Sequence, residues 1–356
     1  KKDRDPKYKL RHKCFFQDCL GFEERYRDFP RNLWRITKLK IHRRVLKKAK
    51  KIKFVSLKKY KSAEKVIKAV SSKNRIAVIF ASGSIELGKG DDDVIGSDKI
   101  AGAIRKARLD KKVKAVVLRV NSPGGDGLAS DIIWREVVLT NKVKPIIASM
   151  SDLAASGGYY ISMGCDTIVA QPNTITGSIG VFGLLFNGKK FLKNKLGITV
   201  DGVKTGNFSD IGTFSRPVTD MEREIIQKEV TKFYEDFTTK AAQGRGLSVD
   251  SLRKLTGGRV WSGVEALNNG LVDVLGGLDD AIKIAAKAAD IEDDYKIKYL
   301  PAKKKFFEQL LSELKDETRI RILQQQLGDL YPYVKFLKEL QKMEGVQARM
   351  FELKID

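Results

Sequence analysis

The sequence predicts an α/β domain built on a largely parallel sheet covered by helices, and three observations carry that expectation. From Arg75 onward, short apolar runs alternate with helical periodicities across short connections. The runs are apolar on both faces, as in strands sandwiched between helices. Two glycine-rich turns follow successive strands, where a parallel sheet places its functional loops. In order, Arg75–Ala81 (RIAVIFA) is a buried strand, and Asp98–Leu109 is a helix with Ile100, Ile104 and Ala107 on one face. Val113–Val120 (VKAVVLRV) is the second strand, Asp126–Thr140 a helix, and Pro145–Met150 the third strand. A short helix starts near Ser156, followed by a strand at Thr167–Ala170, a helix at Lys189–Leu196 and a strand at Ile198–Val203.

A long helix is expected over Thr219–Ala242. Thr219 and Glu222 have capping-box spacing, Ile226, Val230, Phe233 and Phe237 form the apolar stripe, and Gly244 supplies the stop. Two short helical pieces and a helix at Asp279–Ala289 complete the domain near Asp290. Residues 303–343 are helical again, with Phe306, Leu310, Leu314, Leu337 and Leu340 as stripes, and Pro332 breaks that arm. The expected organisation is a basic arm over 1–72, the α/β domain over 73–300 and a helical extension over 301–356. No internal repeat is visible.

Composition bounds the function. At about 100–200 residues per domain, 356 residues make two domains or one with an arm. Hydrophobic residues at 42% and charged ones at 31% allow a buried core. No run approaches the ~18 apolar residues of a membrane span, and no apolar segment precedes a small-residue cleavage site, so neither a spanning chain nor a secretory signal is expected. Cys14, Cys19 and Cys165 are too few for a disulfide framework and lack metal-ligand spacing. The net charge of +24 is local: residues 1–72 hold 25 Lys and Arg against 7 Asp and Glu, and the rest 43 against 37. Such an arm suits either an anionic partner or a solvated connector. The connector is preferred, because no zinc-finger, RRM or helix-turn-helix pattern accompanies the charge and nucleic acid is not an expected partner. Asp91–Asp93 lacks EF-hand spacing and reads as a solvated turn.

The chemistry concentrates in Asn121-Ser122-Pro123-Gly124-Gly125 and Ala154-Ala155-Ser156-Gly157-Gly158. Ser156 would stand at a helix N-terminus, facing N–H donors from Gly125 (or Gly124) and Gly157, the arrangement an acyl-transfer oxyanion requires. Either turn alone is an ordinary sheet-end turn. A serine hydroxyl needs a base. Both histidines, His12 and His42, lie in the arm, so a Ser-His-Asp triad within the domain is excluded and a desolvated lysine is the remaining base.

The segments RIAVIFASGSI, ARLDKKVKAVVLRVNSPGG, MSDLAASGGYYIS, QPNTITGSIGVFG, GRVWSGVEALNNGLVD and LGGLDDAI resemble the signal peptide peptidase A (SppA) family of the ClpP/crotonase-like superfamily, over roughly residues 73–300. The resemblance implies a spiral of parallel-sheet ββα units. It also implies a serine endopeptidase with a Ser–Lys dyad, needing no metal or nucleotide cofactor, that degrades remnant signal peptides. Ser156 matches the nucleophile, Ser178 in TGSIG the hydroxyl that positions the lysine, and Gly124, Gly125 and Gly157 the oxyanion region. A homo-oligomer at the bacterial inner membrane, periplasmic side, is implied, attached through an N-terminal segment missing from this sequence.

The departure lies in the base. Aligning Lys204-Thr205-Gly206 puts Ser209 where short-form members carry it, and Lys204 falls five residues out of register. This is the pattern of the second repeat of long-form members, which supplies the serine while a preceding repeat supplies the lysine. Lys61 in Tyr60-Lys61-Ser62-Ala63 lies only 14 residues before Arg75, too near to be that lysine. The alternatives are a catalytically incomplete scaffold subunit and a crotonase-type acyl-CoA enzyme, which uses similar backbone donors and needs no serine.

Overall fold

Three successive units, each of one or more strands followed by a helix, open the domain. The first is β1 (Arg75–Ser82), β2 (Ser84–Glu86), β3 (Val94–Gly96) and α1 (Ser97–Leu109). The second is β4 (Val113–Ser122), β5 (Gly124–Asp126) and α2 (Gly127–Asn141), and the third opens with β6 (Ile146–Ala155) and α3 (Gly157–Ser162). Next come β7 (Thr167–Ala170), β8 (Ile175–Gly177), β9 (Phe182–Gly183), α4 (Lys189–Leu196), α5 (Asp220–Arg245), α6 (Val249–Arg253), β10 (Val260–Ser262), α7 (Gly263–Asn268), β11 (Val274–Leu275), α8 (Leu278–Ala288), β12 (Lys296–Leu300) and β13 (Val346–Arg349). The computed structural model describes residues 72–90, 93–301, 325–326, 328 and 346–350, all within one compact unit, Ala69–Asp356.

The main sheet runs β10-β8-β6-β4-β1-β12, with β7 on β6 and β11 on β7; apart from the β10–β8 pair it is parallel. A smaller sheet, β3-β2-β5-β13-β9, stands beside it. Alternation along the strands divides the core, because successive side chains point to opposite faces. Ala77, Ile79, Val116, Leu118 and Ala148 meet Ile100, Ile104, Ile133 and Val137 of α1 and α2. Ile76, Val78, Ala115, Val117, Ile147 and Val169 meet Ala281, Ile282, Ala285 and Ala286 of α8. Each fully buried Val or Ile contributes about 1.5–3 kcal/mol, so both faces must be covered. The strand and helix expectations over 75–170 are met to within a few residues at their ends, and the α/β, parallel-rich class stands. Among the described residues no helix is long and apolar enough to cross a membrane.

Helix α5 starts as its sequence dictates. Thr219 Oγ1 accepts the Glu222 N–H at 3.3 Å, and Glu222 Oε2 accepts the Thr219 N–H at 2.8 Å. Phe237 of the stripe is buried and Phe233 packs against the core. The stop is not Gly244, as expected, but Gly246, whose left-handed backbone lets its N–H reach the carbonyls of Ala242 and Gln243. Gly244 lies inside the helix, where a methyl group would sit 2.1 Å from the Met163 carbonyl oxygen. The strand expected at Ile198–Val203 is absent. All six residues are exposed without regular structure, since apolar alternation makes a strand only where another edge supplies hydrogen bonds. Residues 1–71, with the basic arm, both histidines and Lys61, and the helices expected over 303–343, lie outside the described residues except for the short fragments given above. Within the span expected as a helical extension, β13 is a strand of the smaller sheet.

Glu222 also pairs with Arg216, which binds Asp210 at 2.7 Å. Arg216 and the Thr219 amide hold the Glu222 carboxyl down to about 2, against roughly 4.3 in an unfolded chain. The unfolded state therefore binds the proton first, and this stabilisation, complete above the unfolded value, is lost as pH falls toward about 2. Melting temperature should fall as pH drops from about 4.5 to about 2.5, and Arg216→Met should show a smaller fall; an unchanged slope refutes the coupling. An interior helical Gly→Ala change ordinarily gains up to about 1 kcal/mol. Gly244→Ala is instead expected to lower the melting temperature, through its clash with Met163.

Candidate active site

Two strand ends are brought together by an irregular register. Strand β4 pairs with β6 through Val120↔Met150 and resumes at Ser122↔Ala154, so β6 carries two extra residues there. Asn121 Oδ1 accepts the Leu153 N–H at 3.2 Å within that bulge. The offset sets the Pro123-Gly124-Gly125 turn beside the Ala155-Ser156-Gly157 corner. A methyl group placed on Gly124 would lie 2.6 Å from the Gly157 nitrogen.

Ser156 forms the corner between β6 and α3 at φ 54 and ψ −114. For a residue with a Cβ this is a costly conformation, of order 1–3 kcal/mol, and such residues cluster at functional corners. It is held by its own N–H, which donates to Gly177 O at 2.8 Å. Its hydroxyl donates to Gly180 O at 3.3 Å. Ala155 pairs with Gly177 across β6 and β8, so Ser156 and Ser178 are the next residues on neighbouring strands. Ser178 also has positive φ, 47; its N–H donates to Arg259 O at 2.8 Å and its hydroxyl to Gly258 O at 3.3 Å. Both serines are buried.

The three glycines divide in role. Gly124 adopts φ +95, open to glycine and costly to any other residue, and its N–H donates to Ser122 Oγ at 3.1 Å. That amide is bonded within its own turn. Gly125 and Gly157 carry the remaining amides, the latter in the first turn of α3, where no helical carbonyl can take it. Ser130, fully buried, backs this wall: its hydroxyl donates to Asp126 O at 2.8 Å and would lie 2.7 Å from a methyl on Gly157. Burial pushes the carboxyl of Asp126, the α2 cap, upward.

Sequence reasoning missed what lies over these amides. Strand β13 pairs antiparallel with β5 (Gln347↔Asp126, Ala348↔Gly125, Arg349↔Gly124) and with β9. The Met350 N–H donates to Pro123 O at 2.7 Å, which makes Arg349 and Gly124 a widely spaced pair. The companion bond of such a pair runs from the Gly125 N–H to Ala348 O. That oxygen would lie 2.1 Å from a methyl on Gly124 and 2.9 Å from one on Gly157. Val-Gln-Ala-Arg is too short and too polar to announce a strand by periodicity.

No lysine joins the serines among the described residues, where both hydroxyls contact backbone carbonyls. Lys204 pairs with Asp210 at 2.9 Å, as an out-of-register surface lysine would. Lys240 binds Asp131 at 2.5 Å and Tyr160 OH at 3.0 Å.

Residues 139–292 match the family model for peptidase family S49. A putative protease of Synechocystis is 38% identical over 203 residues, which cover 55% of this chain and 73% of that protein. The chain belongs to peptidase family S49. Ser156 and Ser178 lie within the matched span, and Gly124 and Gly125 precede it. The chloroplastic serine protease SPPA of Arabidopsis thaliana is 41% identical over 268 residues, 74% of this S49 chain and 39% of that protein. Protease 4 of Haemophilus influenzae is 42% identical over 222 residues, 62% and 36% of the two chains. This S49 chain thus spans well under half the length of those two relatives. A mutant ClpP1 of Listeria monocytogenes is similar in structure at 16% identity and a TM-score of 0.40, over 58% of this chain and 94% of that one.

Gly124→Ala should cost about 1–3 kcal/mol in urea unfolding, from positive φ and the contact with Gly157. Gly102→Ala, with open space around it on α1, should gain up to about 1 kcal/mol. A neutral Gly124→Ala would contradict the juxtaposition of the two turns.

Proposed function

We propose that this chain supplies the nucleophile and oxyanion site of a serine endopeptidase of the Ser–Lys type, acting on remnant signal peptides. The observation that carries the reading is the conformation of Ser156, held at positive φ beside the Gly125 and Gly157 amides. In this reading a substrate lies extended along β5 with its scissile carbonyl toward those two amides. Ser156 Oγ attacks the carbonyl carbon as the base takes its proton, and the two N–H groups receive the negative charge that develops on oxygen. Removing one such donor costs on the order of 100–1,000-fold in rate. The base returns the proton to the leaving amine, and water then attacks the acyl-enzyme through the same base.

The base in this proposal is a lysine from outside the described residues, contributed by a preceding repeat or by another subunit of an oligomer. Ser178 positions it, since its backbone is fixed at the neighbouring strand end. The acyl-CoA reading leaves the conformation of Ser156 without a purpose. Resemblance to bacterial relatives supports action at the inner membrane on the periplasmic side; the name of the chloroplastic relative favours a plastid location as the second reading.

A fluorophosphonate carried to completion should attach one adduct, located at Ser156 by peptide mass, and none on Ser156→Ala. Equal labelling of the two proteins rejects Ser156 as the nucleophile. Peptide hydrolysis should appear only when a lysine-bearing partner is added; turnover by the chain alone would place the base within it.

A further inference from the structure

The cleft assigned above to substrate is already filled, by the chain itself. Strand β13 pairs antiparallel with β9 through Val346 and Gln347 and with β5 through Gln347, Ala348 and Arg349. Strand addition of this kind draws affinity from the main chain and specificity from the side chains that enter pockets. The side chains at the centre are enclosed: Ala348 is 0% and Gln347 1% exposed. The next residue, Arg349, is held by its guanidinium, which donates to Ser84 Oγ of β2 at 2.7 Å. The Ala348 carbonyl points to the Gly125 amide and lies against Gly157, where the proposed mechanism needs the scissile carbonyl. In the proposed mechanism the bond that follows such a carbonyl is the one cleaved, which in this strand is Ala348–Arg349.

We infer that residues 346–350 are a built-in stand-in for substrate that closes the cleft, and that the position whose carbonyl meets Gly125 and Gly157 accepts only a small side chain. The words substrate and scissile carbonyl rest on the reading of Ser156 as nucleophile; the docked strand rests on its pairing, and the size rule on the burial of Ala348. The Ala348 methyl is fully enclosed within the main core, so a larger side chain at that position must displace the packed neighbours around it. A tethered segment competes at an effective concentration of about millimolar, so a free peptide must overcome the chain's own copy.

The test uses the full chain carrying Ser156→Ala, with and without Ala348→Trp, and a fluorescent peptide, Val-Gln-Ala-Arg-Met. The chain with Ala348→Trp should bind the peptide at least ten-fold more tightly, in the range where intramolecular competition acts. The same peptide with Trp in place of Ala should bind neither chain. Hydrogen exchange on the chain without Ala348→Trp guards against a variant that fails to fold: amides of 346–350 should exchange slowly there. Equal peptide binding by the two chains, equal binding of the Ala and Trp peptides, or free-peptide exchange rates across 346–350 would each overturn the inference. In the Ser156-bearing chain, Ala348→Trp should also speed fluorophosphonate attachment. Slow tail exchange with no attachment in either chain defeats the nucleophile reading and leaves the docked strand in place.

Discussion

The pairing of β4 with β6, and the two-residue bulge in it, is the constraint on which the rest of the site depends. Parallel strands end on the same side, so both glycine turns must emerge together at the carboxyl edge. Adjacent strands lie about 4.8 Å apart, so whether the two turns touch depends on where each strand stops pairing. The bulge at Ser151–Leu153 lets Ala154 resume opposite Ser122, and, two residues on, the Gly177 carbonyl fixes the amide of Ser156. Covering helices on both faces make this register costly to slip, because a one-residue shift would turn Val116 and Leu118 toward α8 and strand their present neighbours.

Among the described residues, no charged side chain bonds the hydroxyls of Ser156 and Ser178. Around Ser156 and Ser178 the partners are backbone carbonyls and amides, neutral dipoles fixed by the sheet. The ionic groups operate elsewhere. Arg216 gathers Asp210 and Glu222 at the start of α5, and Lys240 joins Asp131 and Tyr160 behind α3. Fixed dipoles of this kind can meet negative charge without reorganising.

Much of this was legible in the sequence, for physical reasons that also mark where legibility ends. RIAVIFA and VKAVVLRV are strands because nothing but a two-sided apolar environment suits them, and Thr219 with Glu222 announces a helix start through hydrogen bonds local to four residues. The glycine turns and Ser156 stand out because few residue types tolerate their geometry. Gly244 misled because glycine serves both as a helix stop and as a point of close approach, and only the Met163 carbonyl across the interface distinguishes the two uses. Ile198, Val200 and Val203 alternate as a strand would, but the partner edge is a property of the fold and not of the segment. Strand β13 was invisible for the opposite reason: its pairing is main-chain hydrogen bonding to β5 and β9, which four mixed residues do not encode.

Strand β12 joins the sheet beside β1, matching Ile76 to Ile297 and Ile79 to Leu300. The two partners are about 220 residues apart along the chain, and such non-local pairing is slow to form. While the polypeptide is being synthesised, the flank of β1 that β12 will cover is therefore a bare row of amides and carbonyls, the kind of edge that recruits foreign strands. A nascent molecule is most vulnerable to aggregation in that interval, and a chaperone that shields this flank would act before the Ser156 corner has closed on β8.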